Sequence, residues 1–415
     1  MDNQFDDKYK IPQDFSDNPA NLKKQRFIEE EQIRTQSSRG PRVSNIKYFE
    51  DLMYNHDSPK KEKPRVGYFC NIIPQEIIMA LGAEPVRLDC GNNAAALLGE
   101  EILSGEICPL AKASFGVFIN KDSLANSCDL LILPTSCDAK RKLGEILNDI
   151  KPTFMLNLPP EQNHARYAKQ SFFEISRLVK FLEKFSKKRL SRRSLERIMK
   201  LSQRRSLLVR EIQKIRIGNP RCLSISDLFL IIQVSFSRIA DLSEWNEEAT
   251  KVRDEIRECI PERKSLRPRL ILTGAPMNWP NFKILNLFEE CGADIIADTL
   301  CTGAQACYDP VVIDERGKRS LLRALANKYI YASICPCFIS QETRINRILD
   351  LIDETRADGV VNYSLRLCQL FDIENFRIER TIKSRKIPYI NIRTDYSLED
   401  TEQLRVRIEA FLETI

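Results

Sequence analysis

The chain has 415 residues, 43% of them apolar and 29% charged, with a net charge of +6. That profile fits an ordinary soluble globular protein with room for two or three domains, and no apolar run reaches the roughly eighteen residues that a membrane-spanning helix needs. The polar, acidic opening Met1-Asp2-Asn3-Gln4-Phe5-Asp6-Asp7 has no basic and apolar regions of a signal peptide, so the expectation is a cytoplasmic protein whose thirteen cysteines are free thiols or metal ligands rather than disulfides.

Residues 1 to about 60 are polar and read as a helical extension, broken at Ser37-Ser38-Arg39-Gly40-Pro41-Arg42 and followed by the linker Lys60-Lys61-Glu62-Lys63-Pro64. Short β-rich apolar runs then alternate with helices. Strands are expected at 65–69, 85–89, 129–134 and 153–158, and helices at 74–81, 92–103, 110–118 and 138–149. Such alternation predicts a parallel sheet covered on both faces. Residues 166–262 read as helices only. The α/β pattern resumes with strands at 269–273, 293–298, 358–363 and 389–393, and helices at 281–291, 318–331, 343–355 and 401–413. The chain therefore divides into an N-terminal extension (1–60), a first α/β lobe (61–165), a helical connector (166–262) and a second α/β lobe (263–415).

The connector is basic: from Arg177 to Arg216 it carries fifteen Lys or Arg against three Glu. Its leucines and isoleucines fall at helical spacing and it has few aromatics to stack on bases, so it reads as a solvated helical face. A nucleic acid partner is not expected; an acidic protein could dock there.

The two α/β stretches echo each other. Gly82-Ala83 matches Gly292-Ala293, Ile107-Cys108-Pro109 matches Ile334-Cys335-Pro336, and Cys137 matches Cys368. The expected architecture is two Rossmann-like parallel-sheet lobes related by duplication. Six cysteines fall into two groups of three: Cys70, Cys108 and Cys137 in the first lobe, and Cys301, one of Cys335 and Cys337, and Cys368 in the second. Thiols where parallel strands run out point toward the crevice in which open α/β sheets bind ligands.

Soft thiolates from separate loops suit an iron–sulfur site in the inter-lobe crevice. The spacings are too long for compact ferredoxin or zinc-knuckle motifs, and Cys335-Pro336-Cys337 is the only close pair. Zinc and plain buried thiols stay open as alternatives. Cys222, Cys259 and Cys291 read as packing residues, and Cys90, after a strand, is a reserve ligand. His56 and His164 stand in a linker and a polar turn, and neither a phosphate-binding loop nor a G-x-G-x-x-G motif occurs. Any ATP dependence would come from another protein.

The segment Tyr68-Phe69-Cys70-Asn71-Ile72-Ile73-Pro74, leading into Leu81-Gly82-Ala83-Glu84-Pro85, resembles the opening signature of the 2-hydroxyacyl-CoA dehydratase and benzoyl-CoA reductase superfamily. Cys108-Pro109-Leu110-Ala111-Lys112, Thr135-Ser136-Cys137-Asp138 and Arg393-Thr394-Asp395-Tyr396-Ser397 resemble its double-cubane branch. The resemblance implies an 8Fe-9S double-cubane cluster, two four-iron cubanes joined by a sulfide. Cys70, Cys108 and Cys137 would serve one cubane, and Cys301, Cys335 or Cys337, and Cys368 the other; a mixed set, with Cys368 joining Cys70 and Cys108, is also open. It further implies a homodimer, an ATP-dependent iron–sulfur activator supplying low-potential electrons, and reduction of a small-molecule substrate. Glu76, Lys112 and Asp138 are candidate proton donors or charge compensators, with a structural salt bridge as the alternative for each. A 2-hydroxyacyl-CoA dehydratase subunit with a single 4Fe-4S cluster is the enzymatic alternative, and an electron-storage or activator-binding protein the non-catalytic one. The sequence departs from the branch at Ala139, where glycine is common, at Gln369, where histidine often follows the cysteine, and at Phe338-Ile339-Ser340-Gln341.

Overall fold

Aliphatic runs four to seven residues long become strands in the computed structural model, which describes residues 42–54, 63–119, 124–162, 164–237, 241–259, 266–339 and 342–415. β1 (Arg65–Tyr68), β2 (Glu84–Arg87), β3 (Leu130–Pro134) and β4 (Thr153–Leu156) form one parallel sheet in the order β2-β1-β3-β4. β5 (Arg269–Gly274), β6 (Asp294–Asp298), β7 (Gly359–Leu365) and β8 (Tyr389–Thr394) form a second, in the order β6-β5-β7-β8. Both sheets thus share one strand order. Every residue of β3 and of β7 is buried, as parallel strands covered on both faces require. The α/β class expected from the sequence is the one observed.

The first sheet is accompanied by α1 (Ile46–Tyr54), α2 (Gln75–Ala80), α3 (Asn93–Glu100), α4 (Pro109–Ile119) and α5 (Asp138–Asn148). The connector supplies α6 (Ala165–Ser186), α7 (Arg192–Gly218), α8 (Ile225–Ser237) and α9 (Leu242–Glu258). α10 (Lys283–Glu290), α11 (Gln305–Tyr308), α12 (Lys318–Ala326), α13 (Glu342–Thr355), α14 (Gln369–Ser384) and α15 (Thr401–Leu412) are interleaved with the second sheet, although α12 packs against α6 in the core of the first lobe. Most of the 1–60 extension, most of the Lys60–Pro64 linker, and His56 lie outside the described residues. Among the described residues no helix is long and apolar enough to cross a membrane.

Three features position the crevice. α8 is buried on every side from Ile225 to Phe236, the signature of a helix inside a core. It packs on β2 of the first sheet and on α10 of the second, and its Gln233 donates to Met277 O at 2.7 Å while Phe236 O accepts from Tyr68 Oη. It therefore sets the spacing between the sheets. Second, α3 and α4 approach so closely that a Cβ on Gly116 would stand 1.8 Å from Ala95 O. Only glycine permits that contact, and it fixes the start of α4 beside Cys108. Third, the basic faces of α6 and α7 are solvated as expected, with Leu178, Val179, Leu182, Leu195, Ile198 and Met199 in the core. Arg205 and Arg216 are exceptions, fully buried on α7.

Besides the short α11, which the sequence did not announce, two elements differ from the sequence reading. The helix expected over 318–331 is α-helical only to Ala326 and continues as a π turn over Asn327–Tyr331. α14 was not anticipated, because its inward positions include Glu374 and Asn375 while Ile373 and Phe376 face outward, 73% and 69% exposed. Its apolar pattern points the wrong way for an amphipathic reading.

Candidate functional site

Cys70, Cys137, Cys301 and Cys368 stand just past strands as expected, whereas Cys108, Cys335 and Cys337 lie in loops between helices. Cys70 follows β1 in the left-handed region, with φ +69°, and its N–H donates to Asp89 Oδ2 at 2.5 Å. At the equivalent end of β5, Gly274 also has a positive φ, +123°. Cys137 caps the N-terminus of α5, its sulfur accepting from Lys140 N at 3.5 Å. Cys108 precedes α4, whose first residue, Pro109, has no N–H to leave unpaired; the N–H groups of Leu110 and Ala111 point at its sulfur. Cys368 precedes α14 after a left-handed Leu367, φ +62°, and is its N-cap residue without a side-chain capping bond. Helix N-termini favour thiolate over thiol, so three helices direct positive ends at one space. Cys301 lies in the turn after β6, and Cys335 and Cys337 in the loop before α13.

All seven of these cysteines line a single cavity of about 770 Å³ between the two sheets. The cavity brings together every cysteine singled out as a ligand candidate, from both lobes. Cys90 is not on its wall and packs against the core instead. Cys128, Cys222 and Cys307 are buried, Cys291 is half-buried, and Cys259, expected to pack inside, is exposed at the end of α9. No three His, Cys, Asp or Glu side chains among the described residues converge as the ligands of one ion. The thiols ring a volume rather than a point.

Their hydrogen bonds pair thiols within that ring. Cys368 donates to Cys108, which lowers the Cys108 pKa and raises that of Cys368. Cys337 donates to Cys335 with the same sense: Cys335 goes down and Cys337 up. Burial pushes Cys70 up to about 11 and Cys301 up to about 12, and each feels the other or Cys335 as a like charge. Cys137 is raised by burial and faces Cys368 and Cys335. By electrostatic neighbourhood, Cys108, Cys137 and Cys368 cluster at one end and Cys70, Cys301 and Cys335 at the other. Each spatial group draws on both lobes, unlike the lobe-by-lobe division read from the sequence; of the mixed set also left open there, the Cys108 and Cys368 pairing is met, while Cys70 lies at the other end.

Three charged residues with buried side chains on the cavity wall, Arg87, Asp89 and Lys140, were not among the site candidates read from the sequence. Lys140 Nζ lies 2.7 Å from Asp89 Oδ1, and Arg87 Nη2 lies 3.0 Å from Asp89 Oδ2. Burial opposes the charge on Asp89, but Lys140 and Arg87 outweigh it and hold its pKa down to about 2. The group carries two cations for one anion, which suits an anionic occupant. The available sequence signal was Lys140 three residues after the capping Cys137.

The three candidate proton donors are dispersed. Asp138 is on the cavity wall but its carboxylate is 95% exposed, 3.4 Å from Arg141. Lys112 Nζ is bound to Glu100 Oε2 at 2.5 Å and does not line the cavity. Glu76 is fully buried behind it, accepting from Ser202 Oγ at 2.6 Å and Tyr329 Oη at 2.9 Å.

This scaffold has relatives. The family model for the 2-hydroxyglutaryl-CoA dehydratase D-component matches residues 70–415. The chain belongs to that family. Within it, the chain is 30% identical over 364 residues to an Escherichia coli (strain K12) protein named as a dehydratase subunit, YjiM, covering 86% of this chain and 93% of that one. It is 19% identical to the beta subunit of (R)-2-hydroxyglutaryl-CoA dehydratase from Acidaminococcus fermentans, covering 85% and 93%. It is also 19% identical to the (R)-phenyllactyl-CoA dehydratase beta subunit of Clostridium sporogenes, covering 89% and 99%. The family match begins at Cys70, the first thiol of the cavity.

Proposed function

We propose that this member of the dehydratase family is the cluster-bearing component of an ATP-coupled reductase, with a double-cubane 8Fe-9S cluster between its lobes. The observation that carries the reading is the seven-thiol wall of one cavity. A single four-iron cluster with an open iron uses three thiolates, and this cavity offers more than twice that number. The donor chemistry fits: soft thiolates, helix N-termini aimed at their sulfurs, and Arg87 and Lys140 beside them favour an anionic iron–sulfur group. Cys108, Cys137 and Cys368 would hold one cubane, and Cys70, Cys301 and Cys335 the other, with Cys337 also on the cavity wall.

The cluster supplies low-potential electrons, potentials in such centres reaching down to roughly −700 mV. Electrons come one at a time from a separate ATP-hydrolysing iron–sulfur activator, and the working form is a homodimer. The chain's own contribution is to hold six thiolates apart on two rigid sheets and to balance their charge with Arg87 and Lys140. Asp138, exposed at the cavity wall, is the group of the three candidates placed to exchange protons with solvent.

A second reading is favoured by the names of the relatives: a 2-hydroxyacyl-CoA dehydratase subunit with one 4Fe-4S cluster. Iron and acid-labile sulfide in anaerobically purified protein separate the two. About eight irons and about nine sulfides per chain support the double cubane. About four irons favour the dehydratase subunit, and zinc or no metal overturns both.

A further inference from the structure

A second cavity, of about 90 Å³, shares Cys70, Cys301 and Cys335 with the large one and extends from them toward α11 and the π turn after α12. Its polar groups are unbalanced. The acceptors on its wall are engaged: Asp309 pairs with Arg347 at 3.2 Å, Gln305 Oε1 accepts from Arg347 at 3.1 Å, and Ser333 O accepts from Gln162 at 2.8 Å. Two donors are not. Asn71 Nδ2 is buried without an acceptor, while its Oδ1 is taken by Arg87.

Lys328 lines the same cavity with its ammonium 5.0 Å over the Tyr329 ring, and has no ion pair or hydrogen bond among the described residues. The π turn carries both Lys328 and Tyr329, and π turns inserted at the end of an α-helix recur at functional sites because they shift side chains off the helical track. Burial lowers the pKa of Lys328, while Glu76, Cys307 and Asp309 act the other way. A buried amide donor without an acceptor and an ammonium without an ion pair on one wall suit an acceptor that carries negative charge. The space admits only a few heavy atoms.

We propose that this smaller cavity binds a small monoanion of formate size, held by Lys328 Nζ and Asn71 Nδ2. The two donors are protein groups outside the thiol set, so anion binding does not require the cluster, although Cys70, Cys301 and Cys335 on the same wall are cubane ligands under the reductase reading. Under the reductase reading, the anion would sit against the Cys70, Cys301 and Cys335 end of the thiol ring, the position of a small ligand or inhibitor.

The test is calorimetric titration of the full-length, anaerobically purified protein with sodium formate, with formamide as the uncharged isostere and benzoate as an oversized anion. Saturable formate binding is expected, with formamide at least tenfold weaker and benzoate silent. Lys328→Met should weaken formate at least tenfold and Lys328→Arg should restore most of it, with melting temperature and iron content unchanged in both. Absence of formate binding to the folded wild-type protein overturns the proposal, as does formamide binding equal to formate. Undiminished formate binding in Lys328→Met also overturns it. Should Lys328→Met not fold, the comparison of formate with formamide on the wild-type protein still decides. Iron analysis on the same samples reports separately on the cluster reading, so the two can fail independently.

Discussion

Lys140 Nζ stands 2.7 Å from Asp89 Oδ1, and the other oxygen of Asp89 takes the N–H of Cys70 at 2.5 Å. One carboxylate thereby ties the turn after β1 to the first turn of α5, which begins at Cys137. Two thiol-bearing segments are held in register by a side chain that is 1% exposed.

Replacing Asp89 by Asn should leave Lys140 and Arg87 without their buried counter-charge. The expected loss is about 3–5 kcal/mol of stability, the usual cost of breaking one side of a buried pair. Denaturant unfolding of the wild type and Asp89→Asn checks this. An equally stable variant would show that water reaches the pair.

The acid limb of stability should carry the same residue. The Asp89 carboxyl sits near 2 in the folded chain against 3.8 for the free group. A lowered carboxylate contributes its stability above the unfolded value and loses it as pH falls through the folded one. The window is therefore about pH 4 down to 2, and the contribution about 2 kcal/mol. Unfolding curves across that range should be flatter in Asp89→Asn than in the wild type.

Cys335 and Cys337 compete for one ligand place, and position ranks them. Cys335 lines both cavities beside Cys70 and Cys301, whereas Cys337 lines only the larger one. Cys335→Ser is expected to lose about half of the bound iron, and Cys337→Ser to keep it. Iron content measured in parallel decides, and the reverse result would exchange their roles.

Gly116→Ala should force α3 and α4 apart, because the new methyl would meet Ala95 O at 1.8 Å. A fall of about 1–3 kcal/mol is expected, together with reduced iron, since α4 begins at Cys108. Gly218→Ala is the control: nothing lies within 4 Å of its added carbon. Its thermal midpoint should be unchanged or higher.

Glu76 is held by Ser202 and Tyr329 on one oxygen while its other oxygen, buried, has no partner. Ser202→Ala should therefore destabilise by about 1–3 kcal/mol with iron content retained. A variant that folds as well as wild type but loses iron would instead tie Glu76 to the thiol cavity.

The sheets, most helices and the four thiols that follow strands were legible because each has a local signature, whereas Cys108, Cys335 and Cys337 lie between helices and were marked by the repeated Ile-Cys-Pro and the Cys-x-Cys pair. Aliphatic runs bounded by turn residues make parallel strands, and a cysteine just past such a run stands at the mouth of the sheet. α14 was illegible because Glu374 and Asn375 occupy inward positions, with Arg344 Nε 3.1 Å from Glu374. The π turn was illegible because Asn327–Tyr331 has the composition of a continuing helix. Asp89 and Arg87 sit two residues apart at a strand end, and nothing local says that Lys140, fifty-one residues on, completes them.

By itself, the sequence determined the α/β class through short-range periodicity and marked the seven cysteines that line the cavity, and its motifs carried the resemblance to the family to which the chain belongs. Only the tertiary structure decided which thiols are neighbours. Cys108 meets Cys368 across 260 residues, and Cys70 lies by Cys301 and Cys335, because α8 sets how the two sheets face each other. Sequence order groups residues by lobe, whereas a crevice between lobes groups them by depth, and depth is a property of packing alone.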